Sequence, residues 1–322
     1  MNLFVTGGAG YVGSVFVEEA LEAGHAVTVY DNLSEGHRGA VDARATFVQA
    51  DLSDDSRLVS VLRQAQAGVI VHFAANALVG ESVLNPGKYF ENNLGNGIKL
   101  LNAAITAGVR KMVFSSTCAT YGPPDQLPIR EDTPQRPINP YGESKLMFEK
   151  ILGWYQQAHG LEFVVFRYFN AAGASSRFGE HHRVETHLIP NVLKVALGQA
   201  THCEIFGTDY PTPDGTCIRD YVHVADLAQA HLLALRPDTH GFYNLGTGDG
   251  YSVREVIKMC EKVSGAPIQV IEKARRPGDP PRLVAAAEKA RKDLGWKPRF
   301  PTLEQIVATA WAWHQKHPAG YG

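Results

Sequence analysis

The chain has few cysteines and no excess of charge of either sign. Its 322 residues carry 31 lysines and arginines against 33 aspartates and glutamates, a formal charge of −2. Such a balance gives no electrostatic case for binding nucleic acid or an anionic membrane. The four cysteines, Cys118, Cys203, Cys217 and Cys260, are widely spaced and form no Cys-x-x-Cys pair. We therefore expect a reducing compartment, and neither a disulfide framework nor a structural zinc site.

The chain also lacks internal repeats, low-complexity segments and apolar runs of membrane-spanning length. Residues 1–6 begin a predicted strand at once, without a basic segment followed by an apolar one, so no leader is expected. Apolar residues make up 44% of the chain and charged residues 20%, as in ordinary globular proteins. We expect a cytoplasmic protein with one large domain or two modest ones.

A glycine-rich loop follows the first predicted strand. Gly7, Gly10 and Gly13 lie three residues apart, between a predicted strand over 3–5 and a predicted helix over 14–23. Glycines at these positions let backbone amides approach a pyrophosphate that lies at the helix N-terminus. The spacing in this context is typical of dinucleotide binding.

The second predicted strand, 26–30, ends at Asp31. A carboxylate at this place can accept hydrogen bonds from the adenosine ribose hydroxyls, and it would repel a 2′-phosphate. No arginine follows at once. The sequence therefore favours NAD over NADP.

Predicted strands and helices then alternate along the chain. The strands are 45–50, 68–75, 111–114 and 163–168, and the helices 57–66, 86–107 and 141–159. This order predicts an α/β fold, a Rossmann-type doubly wound parallel sheet with ligands at the carboxyl edge of its strands. We expect an NAD-binding domain over 1–170, rejoined by about 220–247, and a smaller α/β substrate domain over 171–322.

Tyr141 and Lys145 are four residues apart in a predicted helix, so their side chains share one face. An ammonium group near a phenol lowers the phenol's pKa, which suits a tyrosine that accepts a proton from a substrate hydroxyl. Thr117 ends a predicted strand at the same edge of the sheet, where its hydroxyl can relay that proton. Without further context, the Tyr-x-x-x-Lys spacing more often reflects a tyrosine edge and a solvated lysine, and Thr117 is equally compatible with capping its own backbone.

Longer motifs resemble the extended short-chain dehydrogenase/reductase family, and within it the UDP-glucose 4-epimerases. The resemblance runs from end to end. The glycine loop and Tyr-x-x-x-Lys are shared by the superfamily, whereas two other blocks are particular to the epimerases: Phe-Gly-Thr-Asp-Tyr-Pro-Thr at 206–212 and Arg-Asp-Tyr-Val-His at 219–223.

The resemblance implies C4 epimerisation of a UDP-hexose through a 4-keto sugar, with NAD restored in every cycle. Tyr141 would take the proton of the 4-hydroxyl, Thr117 would bridge the two oxygens, and Lys145 would bind the nicotinamide ribose. The other NAD contacts it implies are Gly7, Gly10, Tyr11, Val12, Gly13, Asp31, Asn32, Leu33, Ser34, Gly36, Asp51, Leu52, Phe73, Ala74, Ala75, Ala77, Asn92 and Phe169.

The resemblance also implies a UDP-sugar site. In addition to Thr117 and Tyr141, its residues would be Asn170, His187, Leu188, Glu204, Ile205, Phe206, Arg219, the run from Arg276 to Asp279, and Leu283. The arginines offer planar donors for a diphosphate, and Phe206 offers a ring for the uracil. Leu283 lies where some members have a tyrosine, which suggests room for a 2-acetamido group.

Several alternatives stay open on the sequence. A 4-epimerase of UDP-N-acetylhexosamine or of a UDP-pentose is a close rival. A dehydratase or decarboxylase is disfavoured because Cys118 and Ala119 stand where related dehydratases carry an acidic pair. A silent NAD-binding sensor is disfavoured because Tyr141, Lys145 and Thr117 are all present.

The segment 175–185 is polar and is expected to be a surface loop. The irregular spacing of His181, His182 and His187 favours a solvated or substrate-facing loop over a metal site, so no metal is expected. The family commonly pairs through two helices, here 86–107 and 141–159. The resemblance therefore implies a homodimer.

Overall fold

A computed structural model describes residues 1–276 and 279–321. Pro277 and Gly278, within the predicted substrate run 276–279, lie outside the described residues. No helix in the described ranges is both long enough and apolar enough to cross a bilayer.

Seven parallel strands form the main sheet, in the order β10-β6-β5-β4-β1-β2-β3. Their bounds are β1 Asn2–Thr6, β2 Ala26–Asp31, β3 Thr46–Gln49, β4 Val69–His72, β5 Lys111–Thr117, β6 Glu162–Tyr168 and β10 Gly241–Leu245. The apolar strand segments are buried because helices cover both faces of the sheet. The predicted Rossmann-type α/β class is confirmed.

Helices cover the two faces of this sheet. Their bounds are α1 Tyr11–Glu22, α2 Asp55–Gln64, α3 Val79–Leu84, α4 Pro86–Tyr89, α5 Asn96–Ala107, α6 Pro140–His159 and α8 Val224–Leu233. Because strand side chains alternate, Leu3 and Val5 join the core beside α1 and α8, whereas Phe4 joins the core beside α2, α5 and α6.

The second half of the chain builds smaller sheets and a third core. Strands β7 Asn170–Ala172, β9 Ile218–His223, β11 Gly250–Ser252 and β13 Arg282–Leu283 form one sheet, and β8 Cys203–Phe206 pairs with β12 Val270–Lys273. Helices α7 Leu188–Ala196, α9 Val253–Ser264 and α10 Leu303–Lys316 pack together around this core.

Three predictions need correction. The sequence pattern over 222–235 predicts a helix from Val222, but α8 begins at Val224, because Val222 and His223 belong to β9. The helix predicted over 86–107 contains a π-helical turn, Phe90–Gly95, between α4 and α5. The loop expected at the surface is partly buried, since Phe178 packs into the first core and Glu180 is 4% exposed.

Candidate active site

The glycine loop joins β1 to α1 in a turn that tolerates no side chain at two of its glycines. Gly7 has a φ of 72°, and a Cβ there would lie 2.4 Å from the Ala74 nitrogen. A Cβ on Gly13 would lie 2.2 Å from the Gly7 oxygen. A Cβ on Gly10 would meet only the Gly7 oxygen, at 3.3 Å, so the backbone of Gly10 stays open to a ligand.

A cleft of about 580 Å³ opens above this loop at the carboxyl edge of β1, β2 and β4. Twelve of the predicted NAD contacts line it together: Gly7, Gly10, Asp31, Asn32, Ser34, Gly36, Asp51, Leu52, Phe73, Ala74, Ala75 and Asn92. Tyr30 and Ala50 also line the cleft and were not predicted; each directly precedes an aspartate that was.

Asp31 is buried, and its carboxylate shapes the loop that surrounds it. One oxygen accepts a hydrogen bond from the Ala9 amide at 3.0 Å, the other from the Leu33 amide at 2.8 Å. Burial raises the pKa of Asp31, and these two backbone bonds offset part of that rise. Each oxygen retains a lone pair for a ribose hydroxyl.

The remaining predicted contacts lie around this cleft rather than in its lining. Tyr11 donates a hydrogen bond to the Gly173 carbonyl at 2.6 Å, which ties α1 to the strand that follows β6. Leu33 has a φ of 61° in the loop after Asp31, and Ala77 is exposed. Val12 is half-buried in α1, and Phe169 is buried just beyond β6.

The π-helical turn carries Asn92, which lines the cleft, and Asn93 beside it. The side-chain amide of Asn93 donates to the Asn76 carbonyl at 3.0 Å and to Ser144 Oγ at 3.1 Å. Its oxygen accepts from the Asn76 amide at 2.8 Å. Asn93 therefore links the segment after β4 to α6, a role that the sequence pattern did not predict.

Tyr141 and Lys145 lie on the first two turns of α6, as predicted. Asn139 caps the helix by accepting a hydrogen bond from the Gly142 amide at 2.8 Å, and Pro140 occupies the first turn. Lys145 is 4% exposed, and its ammonium donates to the Ser115 carbonyl of β5 at 2.8 Å. Thr117, 9% exposed, ends the same strand.

Burial is the largest influence on the pKa values of Tyr141 and Lys145. It raises the pKa of Tyr141 to about 12, although a hydrogen bond with the Thr117 side chain opposes the rise. Burial lowers the pKa of Lys145 to about 7, although the charge of Glu149 opposes the fall. The influences on the pKa of Tyr141 are burial, the Thr117 hydrogen bond and Cys118, so a lowering by Lys145 stays a prediction.

The second half of the chain brings some of the predicted substrate residues beside this group. The guanidinium of Arg276 lies 4.0 Å over the Phe206 ring. Arg219 forms an ion pair with Asp279, and it pairs in register with Leu283 between β9 and β13. Leu283 packs in a small core with Phe169 and Cys118, the residue after Thr117.

Other predicted substrate residues are placed differently. Ile205 is 1% exposed in the third core, so its backbone rather than its side chain can face a ligand. Glu204 is exposed and lies 3.5 Å from the Lys273 ammonium. The amide of Asn170 donates to the Asp220 carbonyl at 2.8 Å, while Leu188 begins α7.

His187 belongs to a cluster that the sequence did not predict. Its Nδ1 lies 2.6 Å from Glu180 Oε1 and 3.4 Å from Glu185 Oε1. With His182, these side chains hold ligand atoms within 4.8 Å of one another, a donor set that could hold a divalent cation. Burial lowers the pKa of His187, but the two glutamates outweigh it and raise the pKa to about 9. The imidazolium of His187 therefore offsets one of the two carboxylate charges in the cluster.

The sheet, its glycine loop and the cleft at the strand ends define a nucleotide-binding enzyme of the Rossmann class. Residues 3–246 match the NAD dependent epimerase/dehydratase family. The chain belongs to this family.

Relatives across the full chain sharpen this assignment. A UDP-glucose 4-epimerase of Halalkalibacterium halodurans is 52% identical, covering 100% of this chain and 98% of its own length. A crystal structure of a UDP-glucose 4-epimerase from Brucella ovis with NAD superposes with a TM-score of 0.93 at 45% identity, covering 97% of this chain and 98% of that one. Another, from Bifidobacterium longum with NAD+ and UDP, has a TM-score of 0.95 at 39% identity, covering 99% and 100%.

Proposed function

We propose that the protein is an isomerase, an NAD-dependent enzyme that interconverts UDP-glucose and UDP-galactose by inverting C4 of the sugar. The observation that carries the proposal is the full-length similarity to UDP-glucose 4-epimerases. The glycine loop and a buried Tyr-Lys pair at the ligand edge agree with it.

The cleft fits NAD on its own geometry. The loop from Gly7 to Gly13 leaves the backbone at Gly10 open at the N-terminus of α1, which suits a pyrophosphate. Asp31 stands at the end of β2, where a ribose would lie. When bound, NAD accepts a hydride from C4 and returns it to the other face, so the reaction needs no external redox partner.

The chain's own residues would move the proton. Tyr141, as phenolate, accepts the proton of the 4-hydroxyl and later returns it. Thr117 hydrogen-bonds both the tyrosine and the sugar oxygen. Because burial alone raises the pKa of Tyr141 to about 12, the phenolate needs a positive charge nearby, and the ammonium of Lys145 supplies it.

The UDP-sugar would lie across the edge that the second half of the chain builds. Phe206, backed by Arg276, offers a face for the uracil. Arg219 can pair with a diphosphate when its guanidinium gives up part of its contact with Asp279. His187 stands at the N-cap of α7, a helix end that favours anions.

We also propose a division into two domains around this edge. The first covers 1–170 and is rejoined by the segment 220–247, and the second covers the remainder of 171–322. In support, β10 belongs to the seven-stranded sheet although it comes late in the chain, and α8 packs on the same face as α1.

A homodimer and a cytoplasmic location complete the proposal. Val83 and Leu84 on α3 are 60% and 86% exposed, and Trp154 on α6 is 68% exposed. α3 packs against α6, and α6 is one of the two helices in the pairing that the resemblance implies. The two-helix pairing implied by the family resemblance would cover these apolar side chains with a second copy.

A second candidate activity is the epimerisation of UDP-N-acetylhexosamines. Leu283 packs beside Cys118 and Phe169, at the sugar end of the proposed site. Changing Leu283→Tyr should reduce turnover of the acetylated substrate more than that of UDP-galactose. An unchanged ratio of the two rates would show that Leu283 does not shape this preference.

The test of the main function uses UDP-galactose with no added cofactor and chromatographic separation of the products. We expect conversion to UDP-glucose that stops at an equilibrium mixture. If nothing converts, NAD is added to the same reaction. If no product forms after NAD is added, the result would contradict the proposed activity.

A further inference from the structure

Glu149 lies on α6 one turn beyond Lys145 and two turns beyond Tyr141, on the same face of the helix. Its charged side chain is only 2% exposed. Both oxygens are fully engaged. Oε1 accepts from Ser116 Oγ at 2.5 Å and from Arg167 Nε at 3.1 Å; Oε2 accepts from an Arg167 terminal nitrogen at 2.7 Å and from Gln135 at 3.0 Å.

Arg167, the cation of this pair, is held from β6 by its remaining donors. Its other terminal nitrogen donates to the Tyr121 hydroxyl at 2.8 Å and to the Glu131 carbonyl at 3.1 Å. Tyr121 in turn donates to Asn244 Oδ1 at 2.7 Å. The ion pair is thus locked in one geometry by side chains from four separate segments, which is what a precise positioning role requires.

Ser116 connects this pair to the proposed reacting group. It stands on β5 between Ser115 and Thr117. The Ser115 carbonyl receives the Lys145 ammonium at 2.8 Å, and Thr117 is the proposed partner of Tyr141. The bond from Ser116 to Glu149 therefore fixes the strand end at the residue between these two contacts.

We propose that Glu149 and Arg167 act as a positioning pair, which holds β5 against α6 and sets the electric field in which Tyr141 and Lys145 ionise. This inference rests on the proposed epimerase function. The pair touches neither substrate nor cofactor and acts through Ser116 and Lys145. Removing one member leaves an unpaired charge and changes the local field strongly, whereas removing both changes it less, because the pair carries no net charge.

Other titratable groups face the same region without replacing this pair. His72 on β4 lies near Lys145, but burial, and then the charge of Lys145, lower its pKa to about 3, so it is neutral. Glu131 approaches Arg167 through its carbonyl, while its carboxylate accepts from the Asn244 amide at 2.9 Å. Cys118, beside Tyr141, is neutral because burial raises its pKa to about 12.

The test compares pH profiles of kcat for Glu149→Gln, Arg167→Gln and the double variant. Glu149→Gln leaves an uncompensated cation, which lowers the pKa of both Tyr141 and Lys145 and moves the profile to lower pH. Arg167→Gln leaves an anion and moves it to higher pH. We expect displacements of about half a pH unit or more, in opposite directions, and a smaller displacement, between these two, in the double variant. Displacements in one direction, or none, would overturn the proposal.

Tyrosinate absorbance tests the same proposal without turnover, through the pKa of Tyr141. The difference between each protein and its Tyr141→Phe counterpart reports the pKa of Tyr141, which should fall in Glu149→Gln and rise in Arg167→Gln. Wild-type conversion of UDP-galactose tests the proposed function separately from this measurement.

A milder variant serves if the charge variants fail to fold. Ser116→Ala removes one hydrogen bond and leaves no buried charge unpaired. It should lower kcat about tenfold with an unchanged KM, and a wild-type kcat would contradict the proposal. Lys111→Met is the control, because Lys111 is also buried on β5 but bonds to Arg236 and Thr239, far along the strand from Thr117. Its pH profile should match that of the wild type.

Discussion

At the scale of one residue, the sequence pattern predicts the position of Tyr141 but not its pKa. The four-residue spacing to Lys145 predicted that both side chains share a helix face, and α6 confirms this. The spacing could not show that burial would raise the pKa of Tyr141 and lower that of Lys145. Those shifts depend on how the surrounding strands exclude water, a property of the folded chain.

Removing the Tyr141 hydroxyl should abolish turnover. Tyr141→Phe lacks the group that exchanges the sugar's proton, and general acid–base catalysis of this kind contributes about 10² to 10⁴ in rate. We expect kcat to fall by at least about a hundredfold, while the purified variant retains as much NAD as the wild type. Turnover near the wild-type rate would refute the proton-transfer role.

His187 should make stability depend on pH. Glu180 and Glu185 raise its pKa from 6.5 to about 9 in the folded state. Its stabilising effect is therefore complete below pH 6.5 and lost as the pH rises through about 9. His187→Asn should remove this dependence, so the difference in Tm between wild type and variant should shrink from pH 6 to pH 9.5. A constant difference would show that His187 is not held protonated. Its side chain is 52% exposed, which limits the size of the effect.

At the scale of elements, sequence periodicity located the main strands and helices but not their irregularities. The helix predicted over 86–107 is interrupted by a π-helical turn, because Asn93 bonds to Asn76 and Ser144 from other elements. The short strands around β9 were not predicted either. Their pairing joins segments that are far apart in the chain, and a local sequence pattern does not predict such contacts.

The cap of α6 should matter for both stability and activity. Asn139 accepts the hydrogen bond of the Gly142 amide at the turn that carries Tyr141. Asn139→Ala should lower the free energy of unfolding by about 1 kcal/mol. It should also reduce kcat, because a frayed first turn misplaces Tyr141. Denaturant unfolding and steady-state rates measure the two effects, and Asn139→Asp, which keeps a capping oxygen, serves as the control. A stable variant with full activity would show that the cap is dispensable.

For the whole molecule, the family motifs predicted the cleft better than they predicted the second half of the chain. The NAD contacts are local motifs at successive strand ends, and a parallel sheet brings such ends together. The predicted substrate contacts come from scattered segments, and the sequence pattern does not show which side chains they contact within the chain. Arg219 with Asp279, and His187 with Glu180, are the clearest cases.

The exposed apolar side chains of α3 and α6 should hold two copies together. We expect the purified protein to scatter light with twice the mass of its 35.1 kDa chain. Trp154→Glu replaces one of these side chains with a charged one and should shift the protein toward the monomer. Gln156→Glu, a charge change at an exposed position about half a turn around the same helix from Trp154, is the matched control. A wild-type monomer at micromolar concentration would contradict the homodimer.

The fate of the hydrogen on C4 tests the central claim most directly. UDP-galactose that carries deuterium at C4 is converted in ordinary water, and the UDP-glucose formed is examined by mass spectrometry and NMR. Inversion by transient oxidation within one site predicts that the deuterium stays at C4 of the product. Replacement of the deuterium by solvent hydrogen would contradict the account, since C4 would then have exchanged with water as a proton.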